Sequence, residues 1–180
     1  MRKSAVLVIP AIVLILYAGL IGAESLAIGN IKLSAAVITI EKDLVLATGE
    51  PKLQMPDALV TAKTIKISLV KGKDGKLTIG KAIGSGNVII HARQTDKKTN
   101  TSRTVDANAQ NAEAIGDDRI ILSGNARVKI SDPDLAEPAS LSGETITVFL
   151  KTSKIEAQQG AGKQAELNLT PKANKPSEKK

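Results

Sequence analysis

The amino-acid sequence predicts an all-β domain, two sheets open at their ends and built from repeated bent strand–turn–strand units. Three observations lead there. After residue 27 apolar side chains recur at spacing two rather than at the helical period, between clusters of Gly, Pro, Asp and Asn. Similar strands recur along the chain with a glycine at a fixed place in each. The core material is aliphatic: hydrophobic residues make up 42% of the 180 residues, yet there is one Tyr, one Phe and no Trp. That length and apolar content suit one domain with a real core and do not suit a disordered chain.

The chain opens on a targeting pattern. Arg2 and Lys3 precede an uncharged apolar run from Ala5 to Ala23. Residues 1–27 are read as a signal peptide, ending in the small-x-small triplet Ser25-Leu26-Ala27, or as a membrane anchor retained by the same run. Pro10, Gly19, Gly22 and the triplet favour cleavage, whereas the length of the run favours an anchor. Either way, residues 28–170 are expected to work outside the cytoplasm.

Within that domain, glycines open similar strands at Gly49 (ATGEPKLQM), Gly86 (GSGNVIIHA) and Gly124 (LSGNARVKI), 37 and 38 residues apart, and Gly160 follows 36 further on. Ala47, Gly49, Pro51, Leu53 and Met55 share a face by parity, as do Gly84, Gly86, Val88, Ile90 and Ala92. In RIILSGNARVKI (119–130) the face of Ile120, Leu122, Gly124, Ala126, Val128 and Ile130 is wholly apolar, opposite a face carrying Arg119, Arg127 and Lys129.

A second kind of strand alternates with these, at 31–40, 59–69, 103–114 and 139–150. Its parity breaks at a small residue: Ala35 is followed by Ile38, Ala62 by Ile65 and Gly143 by Ile146. A one-residue phase change of this kind calls for a β-bulge or a sheet corner. In the third copy Gln110 takes an expected aliphatic position, so either the apolar stripe is interrupted there or that strand lies at an edge. KGKDGKL (71–77) reads as a hairpin turn and SDPDLAEP (131–138) as a loop. Residues 171–180, with four lysines against Glu178, read as a disordered basic tail.

Several function classes are disfavoured. Without cysteine there is no disulfide, thiol catalysis or Cys-based zinc site. The single histidine, His91, has no ligand or triad spacing around it, so no metal site, cofactor or catalytic residue is assigned and no enzyme is expected. Asp117-Asp118 and Ser131–Asp134 lack the ligand spacing of a calcium loop and are read as turns. The net charge of +7 admits an anionic partner, but single-stranded nucleic acid is disfavoured because stacking aromatics are missing.

SGNARVKI followed by LSGETITVFLKTSKIEA, with partial copies at 47–69 and 84–114, resembles the OstA-like family of periplasmic lipopolysaccharide-transport proteins. The resemblance spans roughly residues 28–170 and rests on the ordered alternation of motifs that are each common alone. It implies a β-jellyroll open at both ends, with lipid A acyl chains lying in an aliphatic groove. It also implies lipopolysaccharide as ligand, pairing with other components of the transport (Lpt) system by β-strand augmentation, and head-to-tail self-association. The candidate groove residues are Val88, Ile90, Ile120, Leu122, Val128, Ile130, Ile146 and Val148. Two alternatives stay open: the inner-membrane-anchored component of the same system, and an exported β scaffold with a solid core and no ligand.

Overall fold

The computed structural model describes residues 24–28, 30–72, 75, 77–95, 101–116, 118–149, 154–160 and 165–171. The apolar run 5–23 and tail residues 172–180 lie outside them. The described chain is all-β, with thirteen strands in one antiparallel sheet.

The sheet is a meander of strands that each fold over the same line. β1 (Glu24–Ile28) pairs along β2 (Ile31–Ala35), which turns at Ala36 into β3 (Val37–Glu41). β4 (Leu44–Thr48) turns at Gly49-Glu50 into β5 (Lys52–Met55), and β6 (Ala58–Thr61) turns at Ala62-Lys63 into β7 (Thr64–Lys71). Four long strands follow, each crossing the fold line unbroken: β8 (Leu77–Thr95), β9 (Ser102–Ile115), β10 (Arg119–Ser131) and β11 (Leu135–Phe149). The last pair, β12 (Lys154–Gln158) and β13 (Glu166–Pro171), lies along the two halves of β11.

Folding along that line makes two layers. The first runs β1-β2-β5-β6, then through the halves of β8 to β11 nearest residues 90, 105, 130 and 139, and ends on β13. The second runs β3-β4-β7, then through the other halves, and ends on β12. One apolar cluster fills the space between, joining Leu33, Leu53, Val88 and Val128 of the first layer to Val45, Ile65, Leu122 and Ile146 of the second.

The fold line explains the recurring glycines: Gly49 precedes a new strand as expected, whereas Gly86 and Gly124 lie inside continuous strands, not at strand openings. Gly49, Gly86 and Gly124 lie at the bends, with φ of 76°, 77° and 79°, and each is followed by a second left-handed residue, Glu50, Asn87 or Asn125. Two left-handed residues in a row sharpen the twist of the strand, and only glycine adopts the first position without a Cβ penalty. Contact demands glycine as well: a Cβ on Gly124 would stand 2.7 Å from Gln110 Cβ, and one on Gly49 would stand 2.5 Å from Ala36 Cβ. Each glycine thus lies against the bend of the neighbouring strand.

The extra residue also belongs to the glycine strands rather than to their neighbours. Along β10, Ser123 faces Thr145 and Ala126 faces Gly143, so Gly124 and Asn125 of β10 oppose Glu144 alone on β11. The same excess separates Ser85 from Val88 in β8, opposite Asn111 and Ala109.

Two other expectations are corrected. β9 lies between β8 and β10, not at an edge, and its apolar stripe is not interrupted. Asn108, Gln110 and Asn111 are exposed, while Ala107, Ala109 and Ala112 are buried, so the phase change falls between Ala109 and Ala112. The loop after β10 spans only 132–134: Leu135 N–H donates to Asp132 O at 3.0 Å and Asp134 N–H to Asp132 Oδ1 at 2.9 Å. These bonds close the reversal in three residues and free Leu135–Pro138 to join β11. The 71–77 hairpin turn stands where expected, closed by Gly75 N–H donating to Gly72 O at 3.0 Å. Gly160 falls between β12 and β13 with open space around its Cβ position and no left-handed φ, so it does not repeat the bend. Ser25-Leu26-Ala27 stands within β1, opposite Ser34, Leu33 and Lys32.

Candidate functional site

The inner face between the layers is the candidate site, because alternation turns most aliphatic side chains of the bent strands toward it, Ile83, Ile89 and Ile121 being among the exceptions on the outer face. All eight candidate residues lie on this face, and within each strand the one nearer the bend is the more buried. Val88, Leu122, Val128 and Ile146, the nearer of each pair, are at most 3% exposed. Ile90, Ile120, Ile130 and Val148, two residues further along the same strands, are only partly buried. The layers therefore touch along the fold and leave their apolar sides less covered toward the outer rims. Val105 and Leu141 continue the half-covered surface in the first layer, as Ile79 and Ala82 do in the second. With the phase change between Ala109 and Ala112, Val105 falls on the inner face by parity with Ala107 and Ala109.

β9 lines the middle of the face with methyl groups alone, Ala107, Ala109 and Ala112. Its neighbours carry branched side chains opposite them: Ile90 pairs with Ala107 on one side and Val128 on the other. Large residues thus flank a strip of small ones, which is how aliphatic side chains fill a space between sheets without aromatics.

The apolar face is not sealed at the ends of the sheet. At one end Leu167, which pairs with inward Leu141, is 65% exposed, and Leu169 of the same strand is 53% exposed. At the other end Ile40, opposite buried Val45, is 43% exposed. Among the described residues β1 and β3 pair on one side only, as do β12 and β13, so each end presents backbone donors and acceptors. Such edges are templates for another strand.

Outside the layers the surface is mostly polar, with Val37, Leu46 and Ile89 exposed among the polar residues. Lys32, Lys52, Arg93, Arg127 and Lys129 are exposed on the first layer. His91 is there too, with Nδ1 2.6 Å from Asp106 Oδ1, both side chains about half exposed. That makes a solvated surface pair. Lys81 bridges Glu113 at 2.9 Å on the second layer. No buried side chain among the described residues is polar or charged, and no group of three or more His, Asp or Glu is placed to hold a metal ion.

Together these features define a class: an open, folded antiparallel sheet with an aliphatic interior and a free strand edge at each end. No protein-family model and no curated protein sequence matches the chain. Among solved structures the fold is similar to that of LptH of Pseudomonas aeruginosa, described as the LptA-homologous periplasmic component of the conserved lipopolysaccharide transport device. The superposition has a TM-score of 0.60 at 14% identity and covers 78% of this chain and 95% of the other. The chain therefore has the LptA-like β-jellyroll fold.

Proposed function

We propose that this protein is a periplasmic carrier of lipopolysaccharide, which holds lipid A acyl chains between its two layers and passes them to partners joined at its sheet edges. One observation supports this most strongly: the inner face is continuous and aliphatic, tight along the fold, half-covered toward the rims and unsealed at both ends. Each acyl methylene left in water costs about 0.8 kcal/mol, so a lipid crossing an aqueous space needs continuous cover. Aliphatic walls impose no directional bonds, which suits a ligand that must slide. On this reading Ile90, Ile120, Ile130 and Val148 meet the lipid, and Val88, Leu122, Val128 and Ile146 hold the layers together. The free edges at β1 and β3 and at β12 and β13 pair with other transport components, or with further copies head to tail, by β-augmentation. The reading is of a non-enzymatic carrier with no cofactor, delivered outside the cytoplasm by residues 1–27 whether or not they are cleaved. If they are retained, it becomes the inner-membrane-anchored component of the same system.

A second reading, a scaffold with a solid core, draws on the near-complete burial of the four residues beside the fold. Displacement of an environment-sensitive fatty-acid probe by purified lipopolysaccharide separates the two. The carrier reading expects saturable displacement, weakened at least about ten-fold (about 1.4 kcal/mol) by Ile130→Asp or Val148→Asp in proteins that still fold. A folded wild type that takes up neither probe nor lipopolysaccharide supports the scaffold.

A further inference from the structure

The first strand of the sheet overlaps the targeting pattern. In the sequence the apolar run ends at Ala23, and β1 begins at Glu24. β1 pairs with β2 throughout, from Glu24 opposite Ala35 to Ile28 opposite Ile31. The small-x-small triplet Ser25-Leu26-Ala27 lies inside this strand, so cleavage after it leaves only Ile28 of β1. Leu26 is lost with the rest. It stands opposite Leu33, which is 2% exposed with β1 in place, and packs against the same apolar cluster. Removal of β1 therefore uncovers Leu33 and frees the backbone edge of Ile31–Ala35.

Strand directions decide what can take its place. Every neighbouring pair in the sheet is antiparallel, so directions alternate along each layer. In the first layer, β1-β2-β5-β6-β8-β9-β10-β11-β13, the two end strands run the same way. In the second, β3-β4-β7-β8-β9-β10-β11-β12, they run opposite ways. With β1 present, a second copy set end to end would place its β13 parallel to β1. Joining the first layers would also leave one strand's width, about 4.8 Å, open between the second layers. Without β1 the layers end evenly on β2 and β3, and β13 against β2 and β12 against β3 are both antiparallel. β13 supplies the side chains as well: Leu167 and Leu169 flank Asn168 at alternate positions, and both are largely exposed.

We propose that β1 is a cap removed by processing: cleavage after Ala27 opens the β2 edge, and β13 of a second copy takes the place of β1. The inference rests on the head-to-tail pairing proposed above and adds to it the strand, its direction and the event that permits it. A chain that keeps residues 1–27 keeps β1, and this end stays closed to β13.

Intact-mass measurement of the exported full chain should find Ile28 as its first residue. A product that retains Leu26 would overturn the proposal. Because the chain contains no cysteine, single cysteines report on the join. Asn168→Cys in one tagged copy is combined with Ser34→Cys or Lys32→Cys in another. Leu169 opposite Leu33 sets Asn168 opposite Ser34, and Leu167 opposite Leu33 sets it opposite Lys32. Directly opposed residues lie about 4.5–5.5 Å apart at Cα, within disulfide reach. The expected result is a mixed disulfide at one of these two positions and none with Lys129→Cys. Ala27→Leu, which blocks the small-x-small site and keeps β1, should abolish it. Leu167→Lys with Leu169→Lys should abolish it too, with processing unchanged. No mixed disulfide in the processed protein, an equal one at Lys129, or one undiminished by these substitutions would overturn the proposal. Displacement of the acyl probe, measured on the same processed protein, reports on the carrier reading separately, so either can fail without the other.

Discussion

At Gly124 two demands coincide, a left-handed backbone and a neighbour too close for a methyl group. Gly75, in the β7–β8 turn, has nearly the same φ of 76° but nothing within 4 Å of its Cβ position. Gly75→Ala should therefore cost about 1 kcal/mol, the left-handed penalty alone. Gly124→Ala adds the contact with Gln110 and should cost about 2–3 kcal/mol, read as the difference in urea midpoints at constant m-value. Equal costs would mean that the bend yields freely. A second contrast separates the residues that hold the layers together from those proposed to meet lipid on the inner face. Leu122→Ala empties a fully buried site and should cost about 3 kcal/mol, whereas Ile130→Ala, partly exposed already, should cost about 1 kcal/mol. Lipid binding should follow the opposite order, with Ile130→Ala weakening the displacement of an acyl probe more than its stability loss explains.

Among the elements, the bends account for both what the sequence made legible and what it hid. In the non-glycine strands the inward residues step by three at the fold, from Ala35 to Ile38, Ala62 to Ile65 and Gly143 to Ile146. An odd step breaks alternation, and so a corner could be placed there from sequence. In the glycine strands the extra residue makes the step four, from Leu122 to Ala126 and from Gly84 to Val88. An even step leaves alternation intact, so those strands look straight and their glycines look like strand openings. β9 hid its bend differently: its buried inward residues are all alanine, which are weakly apolar, and Asn and Gln stand beside them. Its small side chains yield an element-scale prediction. Ala109→Leu has no space at the fold and should destabilise the protein by about 1–3 kcal/mol, measured by chemical denaturation. Ala114→Leu, in the same strand but partly exposed, should cost less. The 131–138 stretch reads as loop because Pro and Asp are turn formers, while the reversal needs only residues 132–134.

For the molecule as a whole, the layers are pinned along one line, aliphatic between, mostly polar outside and unfinished at both ends. Alternation and composition carry the inner face, so the fold class and the inward orientation of the eight candidate residues could be read from sequence. Their division into a sealed half and a half-covered half could not, because coverage depends on distance from a fold that parity does not measure. The unfinished ends predict assembly: exposed Leu167 and Leu169 at one end should join the β1–β3 end of a second copy. Sedimentation velocity should show larger species growing with concentration, and Leu167→Lys with Leu169→Lys should return the protein to a monomer. A strictly monomeric wild type would remove self-association from the account. The central claim, that lipid lies between the layers, is tested most directly by photocrosslinking in cells, with a photoreactive residue at Ile130 and another at Lys129, its immediate neighbour on the opposite face. The account predicts a lipopolysaccharide adduct at Ile130 and none at Lys129. Adducts at neither position in a folded, exported protein would contradict it, as would adducts at Lys129 alone.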